Sequence, residues 1–382
     1  MRLTVFLLLA TALKLAAAMF VGGTADVGHR LQEAEAFRSG RDVLDQASTG
    51  NSPSFFVLGH YVIAGAVLEA AHATGTPFMF WAKVPAILGD LVIALVLAST
   101  GRGRPTAAIV YMLNPVTLLL SVYHGQFHTV AVAGAVGAVA LAVSERTVLA
   151  AIVLALGASV RQHFAVLLLP LLMRSAPRRV AAALAFTVVG LAVNLPLFTS
   201  AHPEHLLNPI TAYGIWGYTI PLRHAPKVLE LIGVQAWSIV TTANWVLSTF
   251  SPLLYAGWTL VFVLWFWRHR ETDLWRAALV FLLGFYAVSP RFGVQWLGWA
   301  LPFWLLVNFR DALVYSALVS ALLLGSYWVW TFNAKYGVVS VSAELQLLNR
   351  TDLVMYLLVG VLGIVTWSYC VWALWRLLRE SR

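Results

Sequence analysis

Long apolar runs recur from one end of the chain to the other, separated by short polar stretches. None shows the sustained apolar–polar alternation of an outer-membrane barrel strand. In lipid only helices or closed barrels satisfy their own backbone, so the runs are read as helices. A membrane crossing needs about 20 apolar residues. The pattern predicts spans near 3–21, 79–99, 106–122, 129–143, 147–160, 163–173, 180–198, 252–267, 277–289, 297–309, 312–330 and 352–375. The expected architecture is an all-α polytopic bundle of about twelve transmembrane helices in a single domain, 1–382.

Arginine positions set the expected topology, because cytoplasmic loops collect basic residues. Arg102 and Arg104, Arg146, Arg174 with Arg178 and Arg179, Arg268 to Arg276, Arg310 and Arg376 to Arg382 are all placed inside. The external side then receives 22–78, 123–128, 161–162, 199–251, 289–296 and 331–351. The segment 55–71 is apolar enough to span, yet a crossing there would move Arg102 and Arg104 outside. It is therefore expected as a helix lying at the outer interface or packed against the bundle, making 22–78 a long first external loop; the alternative is a thirteenth span with a reversed start. The run from Leu3 to Val21 is expected as a retained span and not a cleaved leader, because Asp26 follows it so closely.

Composition agrees with the pattern: 60% of the 382 residues are hydrophobic, 11% are charged, and the mean hydropathy is +0.80, far from soluble averages. The net charge of +9 raises the question of nucleic acid, but the basic residues sit in short clusters between apolar runs, which is topology. Sixteen tryptophans and twelve tyrosines suit interface anchors and bundle packing. The single Cys370 excludes an intrachain disulfide and a cysteine metal cluster. No Walker A loop, dinucleotide fingerprint or Gly-x-Ser-x-Gly elbow is present.

Candidate chemistry gathers on the external side. Asp26 lies about one turn past the first span, after Gly22 and Gly23 stop the helix; it is either a helix cap or a site acid. Glu33 and Phe37 follow at helical spacing in "HRLQEAEAF". Lys83 and Asp90 sit two turns apart within one span, too far for a direct ion pair, as a site pair or as partners of groups elsewhere. Arg161, Gln162 and His163 form an external turn, where the planar fork of Arg161 suits phosphate or snorkels to the interface. Arg291 beside Gln295 is a second external cation. "SVYHGQFHTV" places His124, Gln126 and His128 around Gly125. His202, Glu204 and His205 lack metalloprotease spacing, and Asn349-Arg350-Thr351 is a sequon close to the last span.

Together these residues resemble the integral-membrane GT-C glycosyltransferases that use polyprenyl-phosphate sugars. "NPVTLLLSVYHGQFHTV" is similar to the Asp-His-Gly-His-Phe-Gln-Tyr-Asn stretch of dolichyl-phosphate-glucose glucosyltransferases, through His124, Gly125 and Phe127. It is also similar to the Gly-Gln-hydrophobic-Asp stretch of bacterial multi-pass relatives, through Gly125, Gln126 and Phe127. "KVPAILGDL", "VRQHFAVLLLP" and "VQWLGWALPF" resemble further segments of those relatives, so the resemblance extends over residues 79–303. It departs from them at Tyr123 and His128, where one branch or the other carries an acid.

The resemblance implies a GT-C-type bundle in which Asp26 is the general base. The donor phosphate would be held by Arg161, with Lys83 and Arg291 behind it, and the donor sugar by His124, Gln126, His128, Gln162 and His163. The expected partners are a polyprenyl-phosphate hexose (mannose or glucose), a lipid or glycan acceptor and the bilayer, without nucleic acid. No cofactor is expected, and a divalent metal is not favoured. The competing readings are a lipid-linked sugar flippase or transporter and a polysaccharide polymerase or ligase. The use of 21 arginines against four lysines suggests a GC-rich bacterium and an inner-membrane location with the site facing outward.

Overall fold

The computed structural model describes residues 2–43, 57–100, 105–174, 176–199, 216–222, 229, 233, 237–336 and 350–380. Among these described residues the regular elements are helices, and a β-bridge joins Trp216 to Phe292. In chain order they include α1 (Arg2–Phe20), α2 (Ala25–Arg38), α3 (Leu58–Thr74), α4 (Phe78–Trp81), α5 (Val84–Ser99), α6 (Pro105–Leu113), α7 (Pro115–Thr117), α8 (His128–Val143), α9 (Thr147–Ala158), α10 (Leu168–Arg174) and α11 (Arg179–Asn194). After them come α12 (Trp237–Thr249), α13 (Ser251–Arg268), α14 (Leu274–Val288), α15 (Leu301–Val307), α16 (Phe309–Tyr336) and α17 (Arg350–Arg379).

Five helices among the described residues are long and apolar enough to cross a membrane: Arg2–Phe20, Phe78–Ser99, Arg179–Leu197, Phe309–Trp328 and Leu357–Arg379. Each apolar run found in the sequence is helical, and the protein is a helical membrane protein. Lipid-facing surfaces are explicit: Val180, Leu184 and Val188 recur four residues apart on α11 and are all more than half exposed, the stripe that hydrocarbon covers.

The expected single span 106–122 is instead two helices meeting at 44°. Pro115 has no N–H to continue α6, and the residue before a proline avoids helical torsions. Asn114 takes an extended conformation there, and its side chain accepts from Val116 N at 2.9 Å. Ser316 on α16 donates to the same Asn114 oxygen at 2.8 Å, fixing the break in the bundle. Beyond the break, Leu118–His124 widens into a π-helix, with Gly125 N donating to Leu120 O at 2.9 Å. Extra residues of this kind often mark functional positions.

Helices α5, α8, α9 and α11 pack in succession, and α14, α16 and α17 form a second group against them. Gly134 of α8 and Gly157 of α9 bring two backbones together: a Cβ on Gly134 would stand 2.8 Å from Gly157 Cα, a contact that only small residues allow. A buried ion pair fastens α1 to α5, with Lys14 Nζ 2.7 Å from Asp90 Oδ2. Thr117 and Tyr111 complete it at 3.1 and 3.0 Å. Asp90 therefore has a structural partner, which explains a charge buried at span depth.

Segment 55–71 contributes α3, packed on α2 and joined to the bundle at Gly59, against the Ser159 carbonyl. Arg102, Arg104, His202, Glu204, His205 and Asn349 lie outside the described residues, as do parts of the 22–78 and 199–251 loops.

Candidate functional site

The chain leaves α1 at Val21, passes Gly22 and Gly23, and re-enters a helix at Ala25. Helix α2 lays one face on the bundle mouth. Asp26, Arg30 and Glu33 occupy positions i, i+4 and i+7, so they share that face, together with buried Val27 and Ala34. Asp26 is not the cap of α2. Thr24 is the N-cap, without a side-chain cap bond, and the Asp26 carboxylate turns to the bundle. There Gln126 Nε2 donates to Asp26 Oδ2 at 2.6 Å, and His124 Nε2 stands 3.3 Å from the same oxygen. The other His124 nitrogen, Nδ1, is 2.9 Å from the Thr24 hydroxyl.

Gly125 makes this approach feasible. Its φ of +62° ends the π-helix, and a Cβ there would lie 2.7 Å from Lys83 Cγ. The close neighbour is thus Lys83, and the Gly125 carbonyl is taken by Arg30 Nη1; a bare backbone presented to a ligand is not what the glycine supplies. Arg30 also lies over the Phe127 ring, 5.4 Å from its centroid.

A second set sits deeper. His60 Nε2 is 2.9 Å from Glu33 Oε2. Arg161, 1% exposed, donates from Nε to His128 Nδ1 at 2.8 Å and from Nη1 to Val160 O at 3.1 Å, with His60 Nδ1 3.5 Å from Nη1. The chain Glu33–His60–Arg161–His128 therefore ties α2 and α3 to α8 and the turn after α9. His128 and His163 pack on an aromatic wall, with Trp299 at 5.4 and 5.5 Å and Trp296 at 6.3 and 4.9 Å.

Burial pushes the Asp26 carboxyl up, but the hydrogen bond and charge of His124, aided by Arg30 and His29, outweigh burial and hold it well below the usual carboxylate range. Burial lifts Glu33 up to about 7 against the pull of Arg30 and Arg161. Burial, reinforced by Arg161 and Arg30, keeps His60 well below its ordinary value, hence neutral. One acid stays ionised and one-third exposed, while the two arginines behind it leave a positive surplus.

Of the residues expected from sequence, Asp26, His124, Gln126, His128 and Arg161 meet in this cluster. His163 joins through the tryptophan wall, and Gln162 precedes it on the same 3-10 turn, Gln162–Leu167. Lys83 is adjacent but occupied: its ammonium donates to the Ala18, Val21 and Gly22 carbonyls at 3.2, 2.5 and 2.9 Å, capping the negative end of α1. Arg291 lies on the segment that bridges Phe292 to Trp216, beside Tyr255 and Ser289. Its carbonyl accepts from Ser289 Oγ at 3.1 Å.

Sequence reasoning missed Arg30, Glu33 and His60 as members of the site, and Lys14 as the partner of Asp90. The signal for the first two was the i, i+4, i+7 repeat of charge from Asp26, in register with apolar Val27 and Ala34. A small cavity of about 20 Å³ lies below, bordered by Gln126, His128, Gln295, Asp90 and Tyr111.

The chain matches no protein-family model, and no curated protein is found to match it. Fold and composition define it as a helical membrane protein.

Proposed function

We infer that the protein is a glycosyltransferase that moves a hexose, mannose or glucose, from a polyprenyl-phosphate carrier to an outward-facing lipid or glycan acceptor. The observation that carries this reading is Asp26, an ionised, partly exposed carboxylate gripped by Gln126 and backed by Arg30 and Arg161. A GT-C-type bundle of about twelve spans goes with it. Five long helices, the bent pair, five shorter apolar helices and α13 would together make twelve.

In the proposed reaction the acceptor hydroxyl gives its proton to Asp26 as its oxygen bonds to the anomeric carbon. The bond from that carbon to the phosphate oxygen breaks, the electron pair leaves with the lipid phosphate, and the configuration inverts. Cations at the mouth would stabilise the departing charge. The low proton affinity of Asp26 is set chiefly by His124, with Arg30 and His29 adding to it, so an acceptor that displaces His124 makes it a better base. His124 and His128 would line the sugar. The reading places the site on the outer face of a bacterial inner membrane.

Reconstitution in proteoliposomes with radiolabelled polyprenyl-phosphate mannose or glucose tests it. Transfer to lipid or glycan, lost by at least about 100-fold in Asp26→Asn, is expected. Movement of the labelled lipid between leaflets without product, or normal transfer by Asp26→Asn, would sink the reading.

A further inference from the structure

Three buried side chains from distant parts of the chain meet at the small cavity below the Asp26 cluster. Gln126 precedes α8, while Gln295 and Trp299 lie on the 3-10 turn Val294–Ala300 that leads into α15. They are 4, 2 and 1% exposed. Each keeps a buried polar atom that meets no hydrogen-bond partner among the described residues: Oε1 of both glutamines and Nε1 of the indole. Buried polar atoms in native proteins are almost always paired, so three such atoms around one cavity call for a common partner. Other groups on the wall already have theirs. Asp90 is met by Lys14 and Tyr111, Thr117 bonds the Tyr111 and Asn114 carbonyls, and both ring nitrogens of His128 lie against Arg161, at 2.8 and 3.2 Å.

Size, charge and valence together select the occupant. A volume of about 20 Å³ holds a water and excludes a sugar or a lipid headgroup. A metal ion is disfavoured by the indole N–H, and Asp90, the carboxylate on the wall, is already neutralised by Lys14. A water has two O–H groups for the two glutamine oxygens and a lone pair for Trp299 Nε1. The acceptor role of Gln126 Oε1 is forced, because its Nε2 donates to Asp26 at 2.6 Å. Gln295 is held in place by Gly293: a Cβ there would lie 2.6 Å from both Oε1 and Nε2 of Gln295, so the amide folds over bare backbone.

We propose that this cavity binds one water, and that Gln295 and Trp299 act through it as positioning residues, holding the Gln126 amide with its N–H on Asp26. Once Oε1 loses its partner, the amide is free to turn and Asp26 loses a donor for part of the time. The water thus couples the late 3-10 turn to an acid on the first external loop, without direct contact between them. The site stands on this geometry alone. It does not rest on the glycosyltransferase reading, and its test contains no transfer assay.

Electron cryo-microscopy of the full chain in nanodiscs, at a resolution that shows waters, tests the site, and infrared titration of the Asp26 carboxylate, assigned by its loss in Asp26→Asn, tests the positioning. The unaltered protein should show one peak within about 3.2 Å of all three atoms, and Gln295→Leu with Trp299→Phe should lose it. A hydrogen bond to the charged form favours that form, so Gln295→Leu should raise the pH at which Asp26 titrates, by less than Gln126→Ala does. Gly293→Ala keeps every hydrogen-bonding group but displaces the Gln295 amide, and should act in the same direction. Leu297→Ala, a loss of packing on the same turn, should leave the titration where it is. His124, Arg30 and His29, the charged and titratable groups around Asp26, are unaltered in every variant. No peak in the unaltered protein, a peak that survives the double variant, or one ringed by oxygens at about 2.3–2.6 Å, as a bound cation is, would overturn the proposal. So would a titration unmoved by Gln295→Leu, or moved as far by Leu297→Ala.

Discussion

Gln126 donates to Asp26 Oδ2 at 2.6 Å from the turn a hundred residues later in sequence. An ionised carboxylate can only accept, so the amide orientation is forced: Nε2 faces Asp26, and Oε1 points to the interior, buried beside Gln126's cavity. The motif that first draws the eye in the sequence thus serves the acid, and the acid sets what the site can do.

Replacing that donor should change the acid's titration. Gln126→Glu sets a second carboxylate against Asp26, and the pair must share a proton. The carboxylate infrared band at this site should titrate at a pH at least about one unit higher than in the unaltered protein. Gln126→Ala should give a smaller shift in the same direction. No shift in either variant would mean that Gln126 does not govern Asp26.

Glu33 should leave a mark on stability. Its folded value of about 7 stands above the ordinary 4.5, so the folded state holds a proton that the unfolded chain has released. Its contribution is fully present below pH 4.5, falls as pH rises towards 7, and is flat above. Thermal midpoints in detergent should decline across that window, and Glu33→Gln should remove the decline. A decline that persists in the variant would assign it to another group.

The Lys14–Asp90 pair should behave as a buried ion pair. Lys14→Met alone leaves Asp90 charged and uncompensated and should destabilise by about 3 kcal/mol. Adding Asp90→Leu should recover most of that, because the lone charge is gone. Unfolding in mixed micelles measures both, and additive losses would show that the two residues do not interact.

Gly125 carries two constraints at once, the left-handed φ and the contact with Lys83. Gly125→Ala should lower the thermal midpoint by the equivalent of about 1–3 kcal/mol. Gly125→Asn tolerates the torsion yet still brings a Cβ, so it should be little better. If Asn restores the midpoint, the torsion alone matters and Lys83 gives way.

Hydropathy by itself determined the helices. Each expected span has a helix in its place, because a run that cannot hydrogen-bond to lipid must close its own backbone bonds, whatever it packs against. The segment 55–71 and the amphipathic start of α2 were legible for the same local reason. Asp26 and the His124–His128 turn stood out because polar groups at a membrane boundary break an apolar pattern. What only the tertiary structure decided was pairing. Lys83 and Asp90 look like one unit in sequence, seven residues apart on one helix, yet Lys83 caps α1 and Asp90 binds Lys14. Arg161 reaches two imidazoles on other helices, and Glu33 meets His60 across α2 and α3. Local pattern fixes which groups are buried, whereas the partner that makes burial tolerable comes from a different helix, and its position depends on packing over a hundred residues of chain.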